Sequence, residues 1–316
     1  MKNVDLTFGI PVYNGEKYIS DLLKCFDVEE NEISYEILIV DDGSIDNTYN
    51  ICRNFNNKHL RLVKKVNGGV SSARNKIIRE SKGKYITFID ADDTIDFKKY
   101  IEVFKKNLEN GFEMYINVPN IKLAKYVTGS KNIKKIIIEK EIINSPCMKF
   151  YNLEIIRNNN ILFDESIDLG EDLVFNLDYL NKVNKIGFFY DNIYKYRIVN
   201  ENSLTHKYRK NKFDTLMLVY SKCIERSGKD LYSSFEFIRI KNNFSVLKTE
   251  MMFNYNLKNN LLLILKMKKF KSIQLVFPFF IKNMCIYYLW YLTPSIIIFL
   301  LFKIVLGGRI NEKTKN

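Results

Sequence analysis

A short apolar run that ends in three carboxylates constrains the rest of the chain. In Lys84-Tyr85-Ile86-Thr87-Phe88-Ile89-Asp90-Ala91-Asp92-Asp93, residues 85–89 read as a buried strand. Asp90, Asp92 and Asp93 follow within four positions. Uncompensated charges do not persist in an apolar interior. The strand therefore ends where the acids begin, at the carboxyl edge of a sheet, where open α/β folds hold ligands. Crowded carboxylates repel one another unless a cation lies between them, and oxygen-only ligands suit Mg²⁺ or Mn²⁺. A solvated acidic turn that caps the next helix is the alternative use of the same residues.

The preceding residues supply three more strand ends. Residues 6–12 read as a strand, Tyr13-Asn14-Gly15 turns the chain, and residues 16–26 read as a helix with Tyr18, Ile19, Leu22, Leu23 and Phe26 on one face. Residues 35–40 form a near-continuous apolar run of the parallel, doubly covered kind. That run ends in Asp41-Asp42-Gly43-Ser44-Ile45-Asp46-Asn47-Thr48, where Ser44 or Asp46 caps a helix reaching about residue 55. A strand over 60–64, a loop at Asn67-Gly68-Gly69 and a helix over 70–81 carrying Ala73, Arg74 and Asn75 complete the series. This alternation predicts a doubly wound parallel sheet. Pro11, Tyr13 and Asn14, then Asp41 and Asp42, then Asn67 and Gly68 with Arg74, and finally Asp90, Asp92 and Asp93 then share one edge. Such an edge can hold a nucleotide. A carboxylate such as Asp41 can accept from a base N–H, and a metal on Asp92 and Asp93 can bridge a diphosphate. Arg74 can bond phosphate or an acidic partner. Taken singly, Asp41-Asp42 is also a turn and helix cap, Asn67-Gly68-Gly69 a plain turn, and Arg74 a surface ion pair. Neither a Walker loop nor Gly-X-Gly-X-X-Gly is present.

Further on, a helix is expected over 97–110 and a strand over 113–118. A strand-like Lys135-Ile136-Ile137-Ile138 lies within the poorly patterned 122–143. Residues 145–151 return to the core, 160–164 are extended, Gly170-Glu171-Asp172 opens a helix through Leu173, Leu177 and Leu180, and 187–196 form an aromatic strand region. From about 207 the chain becomes basic and helical, with Phe213, Leu216, Met217, Tyr220 and Ile224 on one helical face. Residues 1–205 carry a net charge of −1 and residues 206–316 a net charge of +14. The tail therefore suits an anionic surface. Residues 257–271 set an aliphatic run beside Lys266, Lys268, Lys269 and Lys271, and 284–302 hold no formal charge but contain Pro294. That run either spans a membrane or lies on it, with burial in a soluble domain as the further alternative. Five scattered cysteines and two distant histidines argue against zinc. The N-terminus enters a strand without a signal-peptide pattern, which suggests a reducing cytosol.

Phe8-Gly9-Ile10-Pro11-Val12-Tyr13-Asn14, the segment from Glu36 through Asp41-Asp42-Gly43-Ser44 to Thr48, and Asn67-Gly68-Gly69-Val70-Ser71-Ser72-Ala73-Arg74-Asn75 continuing to Asp90-Ala91-Asp92-Asp93 resemble family-2 glycosyltransferases in order, spacing and content. Gly170-Glu171-Asp172 resembles the family's later acidic motif, and Cys147-Met148-Lys149-Phe150-Tyr151 the segment before it. The first strand departs from the usual β-branched run at Thr7-Phe8-Gly9, and residues 112–145 match no motif. The resemblance implies a GT-A fold and metal-dependent, inverting transfer from a nucleotide diphosphate sugar. By that carry-over Asp41 contacts the base, Asp92 the ribose or metal, and Asp93 the metal. The general base falls on Asp172 or Glu171, whose other use is to cap a helix.

The expected molecule is thus an α/β GT-A domain over 1–205, with a mixed, mostly parallel twisted sheet flanked by helices. Its donor half spans 1–97 and its acceptor half 98–205. A basic helical region over 206–316 follows, with a membrane-associating segment near 273–306. The expected partners are a nucleotide-sugar donor, read as a uridine diphosphate sugar, a glycan or lipid-linked acceptor, Mn²⁺ or Mg²⁺, and the cytoplasmic face of the cell membrane. Nucleic acid is not expected, because the basic residues alternate with long aliphatic runs. A catalytically inactive scaffold and a sugar-nucleotide nucleotidyltransferase are the rival readings.

Overall fold

Residues 4–28, 32–119, 126–128, 131–197, 212–228, 231–235, 238, 239 and 242 are described by a computed structural model. The chain divides into two units, 1–200 and 201–316.

In the first unit, β1 (Val4–Val12), α1 (Ile19–Cys25), β2 (Tyr35–Asp41), α2 (Thr48–Asn54), β3 (Leu60–Lys64), α3 (Gly69–Glu80) and β4 (Gly83–Phe88) follow the alternation read from the sequence. Then come β5 (Thr94–Ile95), α4 (Phe97–Asn110), β6 (Met114–Asn117), β7 (Tyr126–Thr128), α5 (Lys131–Glu139), β8 (Lys149–Asn152), α6 (Leu153–Asn158), α7 (Glu171–Leu180), β9 (Lys185–Phe189) and β10 (Tyr194–Lys195). One sheet runs β3-β2-β1-β4-β8-β6-β9-β7, and β10 pairs with β5 apart from it. Strands β3, β2, β1 and β4 are mutually parallel. Strand β8 is antiparallel to both β4 and β6, and β9 is parallel to β6. The sheet is therefore mixed and mostly parallel, and β1, β2, β3, β4, β6 and β9 all end at one edge.

Strand β2 is buried at every position, and β1 from Leu6 onward. Helices on both faces of a parallel sheet require such runs. On one face Phe8 packs edge-on against Phe26 at 5.3 Å and Tyr35 at 6.1 Å. On the other, α3 comes so close that a Cβ on Gly9 would stand 2.5 Å from Ile77 Cγ2. That contact explains the glycine in the first strand.

Two expectations need correction. Helix α1 starts at Ile19 rather than 16, because the Gly15 and Glu16 N–H groups bond Thr48 Oγ1 and Asp46 instead of opening a helix. The segment Lys135-Ile136-Ile137-Ile138 lies in α5, not a strand. Ile133 and Ile137 are both buried, and Lys135 pairs with Glu139 across one turn; short apolar runs do not separate helix from strand by pattern alone. Residues 160–164 lie outside the sheets, and Phe163 exchanges hydrogen bonds with the Asn75 side chain.

In the second unit α8 (Lys212–Arg226) buries Phe213, Met217, Val219, Tyr220 and Cys223. Leu216 and Ile224 are half-buried. The segments 257–271 and 273–306 lie outside the described residues. Among the described residues no helix is long and apolar enough to cross a membrane.

Candidate active site

The ends of β1 and β2 are fastened to each other by side chains. The Asn14 N–H donates to Ser44 Oγ at 2.9 Å, and Asn14 Oδ1 accepts from the Ile45 N–H at 3.0 Å. Asn14 takes the left-handed conformation, with φ at 48°. Pro11 is buried in register with Val40, and Tyr13 projects half-exposed beside it. Asp42 is engaged by the next loop. Its carboxylate accepts from the Lys65 ammonium at 2.5 Å, the Gly68 N–H at 3.1 Å and the Gly69 N–H at 2.7 Å. Asn67 donates to the Asp42 carbonyl at 2.9 Å. Asp42, Asn67 and Gly68 thus build the turn before using any capacity on a ligand. Gly43, at φ +79°, passes so close that a Cβ there would meet the Asn67 nitrogen at 2.8 Å.

Asp41 differs from its neighbour. It has no exposure, and its Oδ1 accepts from the Ser44 N–H at 2.9 Å. Its Oδ2 is buried and has no hydrogen-bond partner. A buried acceptor left open is costly unless a ligand N–H or O–H fills it.

Arg74 joins the two halves of the sheet. It is 4 % exposed, near the start of α3. Its guanidinium reaches Asp172 Oδ1 at 2.8 Å, Glu171 Oε1 at 3.3 Å and Asp90 Oδ1 at 3.1 Å. It also lies over the Phe163 ring, which stacks on Phe175 at 3.9 Å. Of the two uses that the sequence left open for Arg74, the structure supplies the acidic partner. Glu171 and Asp172 occupy the first turn of α7, entered from Gly170 at φ 91°. Burial raises the Asp172 pKa, Arg74 opposes the rise, and the charges of Glu171 and Asp90 add to it. The side chain keeps 19 % exposure and can still meet a ligand.

At the end of β4 the acids are held by a strap. Tyr194 Oη donates to Asp93 Oδ2 at 2.7 Å, and the Arg197 N–H donates to Asp93 Oδ1 at 2.8 Å. Arg197 Nε donates to the Asp92 carbonyl at 3.0 Å, and its guanidinium pairs with Asp21 at 2.6 Å. Burial pushes the Asp93 carboxyl up to about 6 against these hydrogen bonds. Asp92 is also raised, by burial first and then by Asp90. Two desolvated carboxylates that resist charging suit a cation. Among the described residues no cluster of three metal-ligating side chains occurs. Asp92 and Asp93 therefore fit Mg²⁺ or Mn²⁺ only if ligand oxygens complete the shell, the usual way Mg²⁺ is held beside phosphates.

The sequence does not single out Tyr194 within the aromatic strand region 187–196; it is 9 % exposed, yet its hydroxyl serves Asp93. Tyr196 is 54 % exposed and rests against Tyr194 at 4.9 Å. Lys149 was visible only as part of a motif, although a lysine within Phe-Tyr strand residues is itself a signal.

Parallel strands that end at one edge, with an arginine that bonds both the acid after β4 and the carboxylate pair at the start of α7, belong to a GT-A-like α/β fold. The Staphylococcus aureus TarS fragment 1–349, solved in complex with UDP-GlcNAc, superposes with a TM-score of 0.64 at 20 % identity, covering 84 % of this chain and 80 % of that one. The mannosyltransferase PcManGT from Pyrobaculum calidifontis, in complex with GDP-Man and Mn²⁺, superposes at 0.56 with 13 % identity, covering 86 % and 76 %. Residues 7–160 match the model of glycosyl transferase family 2. In sequence, the minor teichoic acid biosynthesis protein GgaB of Bacillus subtilis is 29 % identical over 239 residues, 70 % of this chain and 26 % of that protein. The glycosyltransferase EpsJ of the same organism, itself uncharacterised, is 27 % identical over 62 % of this chain and 61 % of its own length. The S. aureus poly(ribitol-phosphate) β-N-acetylglucosaminyltransferase TarS is 28 % identical over 61 % of this chain and 35 % of its own length. The chain thus spans less than two thirds of each of these relatives.

Proposed function

We propose that the protein transfers a sugar, with inversion, from a nucleoside diphosphate sugar to a hydroxyl of a surface glycan or lipid-linked glycan. The observation that carries the donor site is the open buried oxygen of Asp41. Its natural complement is a ring N–H, which uracil, thymine and guanine present and cytosine lacks. A uridine donor is the reading we adopt, supported by the UDP-GlcNAc bound to the structural relative. Asp92 lies toward the ribose or metal, and Asp93 toward the metal. When bound, Mn²⁺ or Mg²⁺ would supply charge stabilisation to the leaving diphosphate.

The remaining chemistry belongs to the chain. Inversion needs one displacement at the anomeric carbon. A sugar hydroxyl is a weak nucleophile near neutrality, so a positioned carboxylate must take its proton. Asp172, nearer to Arg74 than Glu171 is, fills that role. Arg74 keeps the acids in place and offsets their mutual repulsion. The relatives named for teichoic acid and poly(ribitol-phosphate) support a surface-polymer acceptor. The basic tail suits the cytoplasmic face of the membrane, where a lipid-linked acceptor is found.

Calorimetric titration with UDP, dTDP, GDP and CDP, each with Mn²⁺ or Mg²⁺, tests the reading. Metal-dependent binding of UDP is expected. Asp41→Asn should weaken it by about tenfold or more, because an amide N–H would face the base N–H and a buried unmet donor costs about 1–3 kcal/mol. Failure of every nucleotide to bind with either metal would overturn the proposal in favour of an inactive scaffold.

A further inference from the structure

Lys149 is 2 % exposed on β8, which leads away from the site between Asp90 and α7. Burial of an ammonium is costly unless the group is well bonded. Among the described residues no carboxylate stands within ion-pair distance of it. Its hydrogen bonds go to two backbone carbonyls instead, Ser145 at 2.7 Å and Cys147 at 3.3 Å. Burial lowers its pKa to about 8, and the charge of Asp172 works the other way.

The carbonyls it gathers belong to a segment gripped from two directions. On the base side, Asn176 lies one turn beyond Asp172 on α7 and donates to the Ile143 carbonyl at 2.8 Å and the Ser145 carbonyl at 3.1 Å. Tyr151 Oη donates to Asn176 Oδ1 at 2.6 Å. On the donor side, Cys147 forms a parallel bridge with Phe88, two residues before Asp90. The Met148 carbonyl accepts from the Asn117 N–H at 2.9 Å. Met148 itself has φ at 58°, a left-handed conformation that an unbranched residue keeps only where its surroundings require it. Residues 145–148 are therefore bonded on one side to the strand that leads to Asp90 and on the other to the helix that carries Asp172.

We infer that Lys149 is a positioning residue for the transfer: by drawing the Ser145 and Cys147 carbonyls together it makes residues 145–148 a rigid spacer that sets where the base helix stands relative to the donor acids. This inference rests on the proposed glycosyl transfer for its kinetic consequence, but not for its structural one. The ammonium touches no reacting atom. A salt bridge would tie Lys149 to a carboxylate of the site, whereas two carbonyls tie it to the spacer and leave Asp172 open.

The test compares Lys149→Met, which has similar length and no donor hydrogens, with Lys149→Gln, which keeps an N–H donor. Amide hydrogen exchange is read at Asn117 and Cys147, with Ile10 on β1 as control. Turnover of UDP-N-acetylglucosamine with Mn²⁺ is read as UDP release, alongside UDP affinity by calorimetry. In Lys149→Met, exchange at Asn117 and Cys147 should accelerate tenfold or more while Ile10 is unchanged. The rate of turnover should fall at least thirtyfold with UDP affinity within threefold of the unsubstituted protein, and Lys149→Gln should lie between. Unchanged exchange in Lys149→Met would overturn the inference whatever the turnover. So would faster exchange with undiminished turnover, or a loss that follows global unfolding at Ile10. If the unsubstituted protein releases no UDP, the functional reading fails separately, and the exchange data still decide whether Lys149 holds the spacer.

Discussion

Arg74 concentrates the electrostatics of the site in one side chain. Three carboxylates converge on a guanidinium that is 4 % exposed, and a buried charge left without its partner is far more costly than a paired one. Arg74→Met leaves Asp90, Glu171 and Asp172 facing one another. The loss in stability should be about 3–5 kcal/mol, read by urea unfolding. The pH dependence carries the sharper sign. A general base works only when deprotonated, and burial already raises Asp172 above the ordinary carboxylate range. The rate should therefore climb with pH through that raised value. Arg74 is the group that holds the value down, so its removal should move the rising limb to higher pH. A limb that stays in place in Arg74→Met would assign the base elsewhere. The identities of these groups were legible in sequence, but their pairing was not. Asp41 and Asp42 read alike on the page, yet one carboxylate is consumed by Lys65 and two glycine N–H groups while the other keeps an open oxygen. That difference depends on a loop from another strand, which local sequence does not encode.

At the scale of elements, the parallel half was readable because β1 and β2 are buried on both faces and α1 has one apolar side. The second half was less so. Residues 131–139 hold a β-branched run that either a strand or a helix can use, and the Lys135–Glu139 pair is informative only once the helix is known. What makes the first half work is the seating of α3 on β1, since Arg74 lies one turn before Ile77 on that helix. Gly9→Ala should force Ile77 and α3 outward, because the new Cβ would meet Ile77 Cγ2 at 2.5 Å. Overpacking of this kind costs about 1–3 kcal/mol. Turnover should fall beyond what stability explains, because Arg74 moves with the helix. Ile77→Ala relieves the collision, so the two substitutions should be non-additive by about 1 kcal/mol or more in a double-mutant cycle. Strict additivity would mean that α3 is seated by other contacts.

For the molecule as a whole, the separation of charge is the remaining constraint. The first 205 residues are close to neutral and the rest carry +14, and the proposed membrane-surface role of the tail rests on that separation. The reading of the tail as lipid-directed rests on the long aliphatic runs between its lysines, a composition expected of a membrane-interface segment rather than of a nucleic-acid arm. Near an anionic bilayer each lysine contributes about 1 kcal/mol, and the attraction fades within a Debye length. Full-length protein should float with vesicles of anionic lipid and remain behind with neutral ones, losing most of its binding in about 0.5 M salt, where the Debye length falls well below its value of about 8 Å at physiological salt. Replacing Lys266, Lys268, Lys269 and Lys271 with glutamate should abolish flotation while UDP affinity in solution is unchanged, since the Asp41 edge is built entirely by residues of the first unit. Equal binding to neutral and anionic vesicles would point to the uncharged run at 284–302 as the anchor. Strong, salt-sensitive binding to duplex DNA at the expense of vesicles would instead assign the basic tail to nucleic acid.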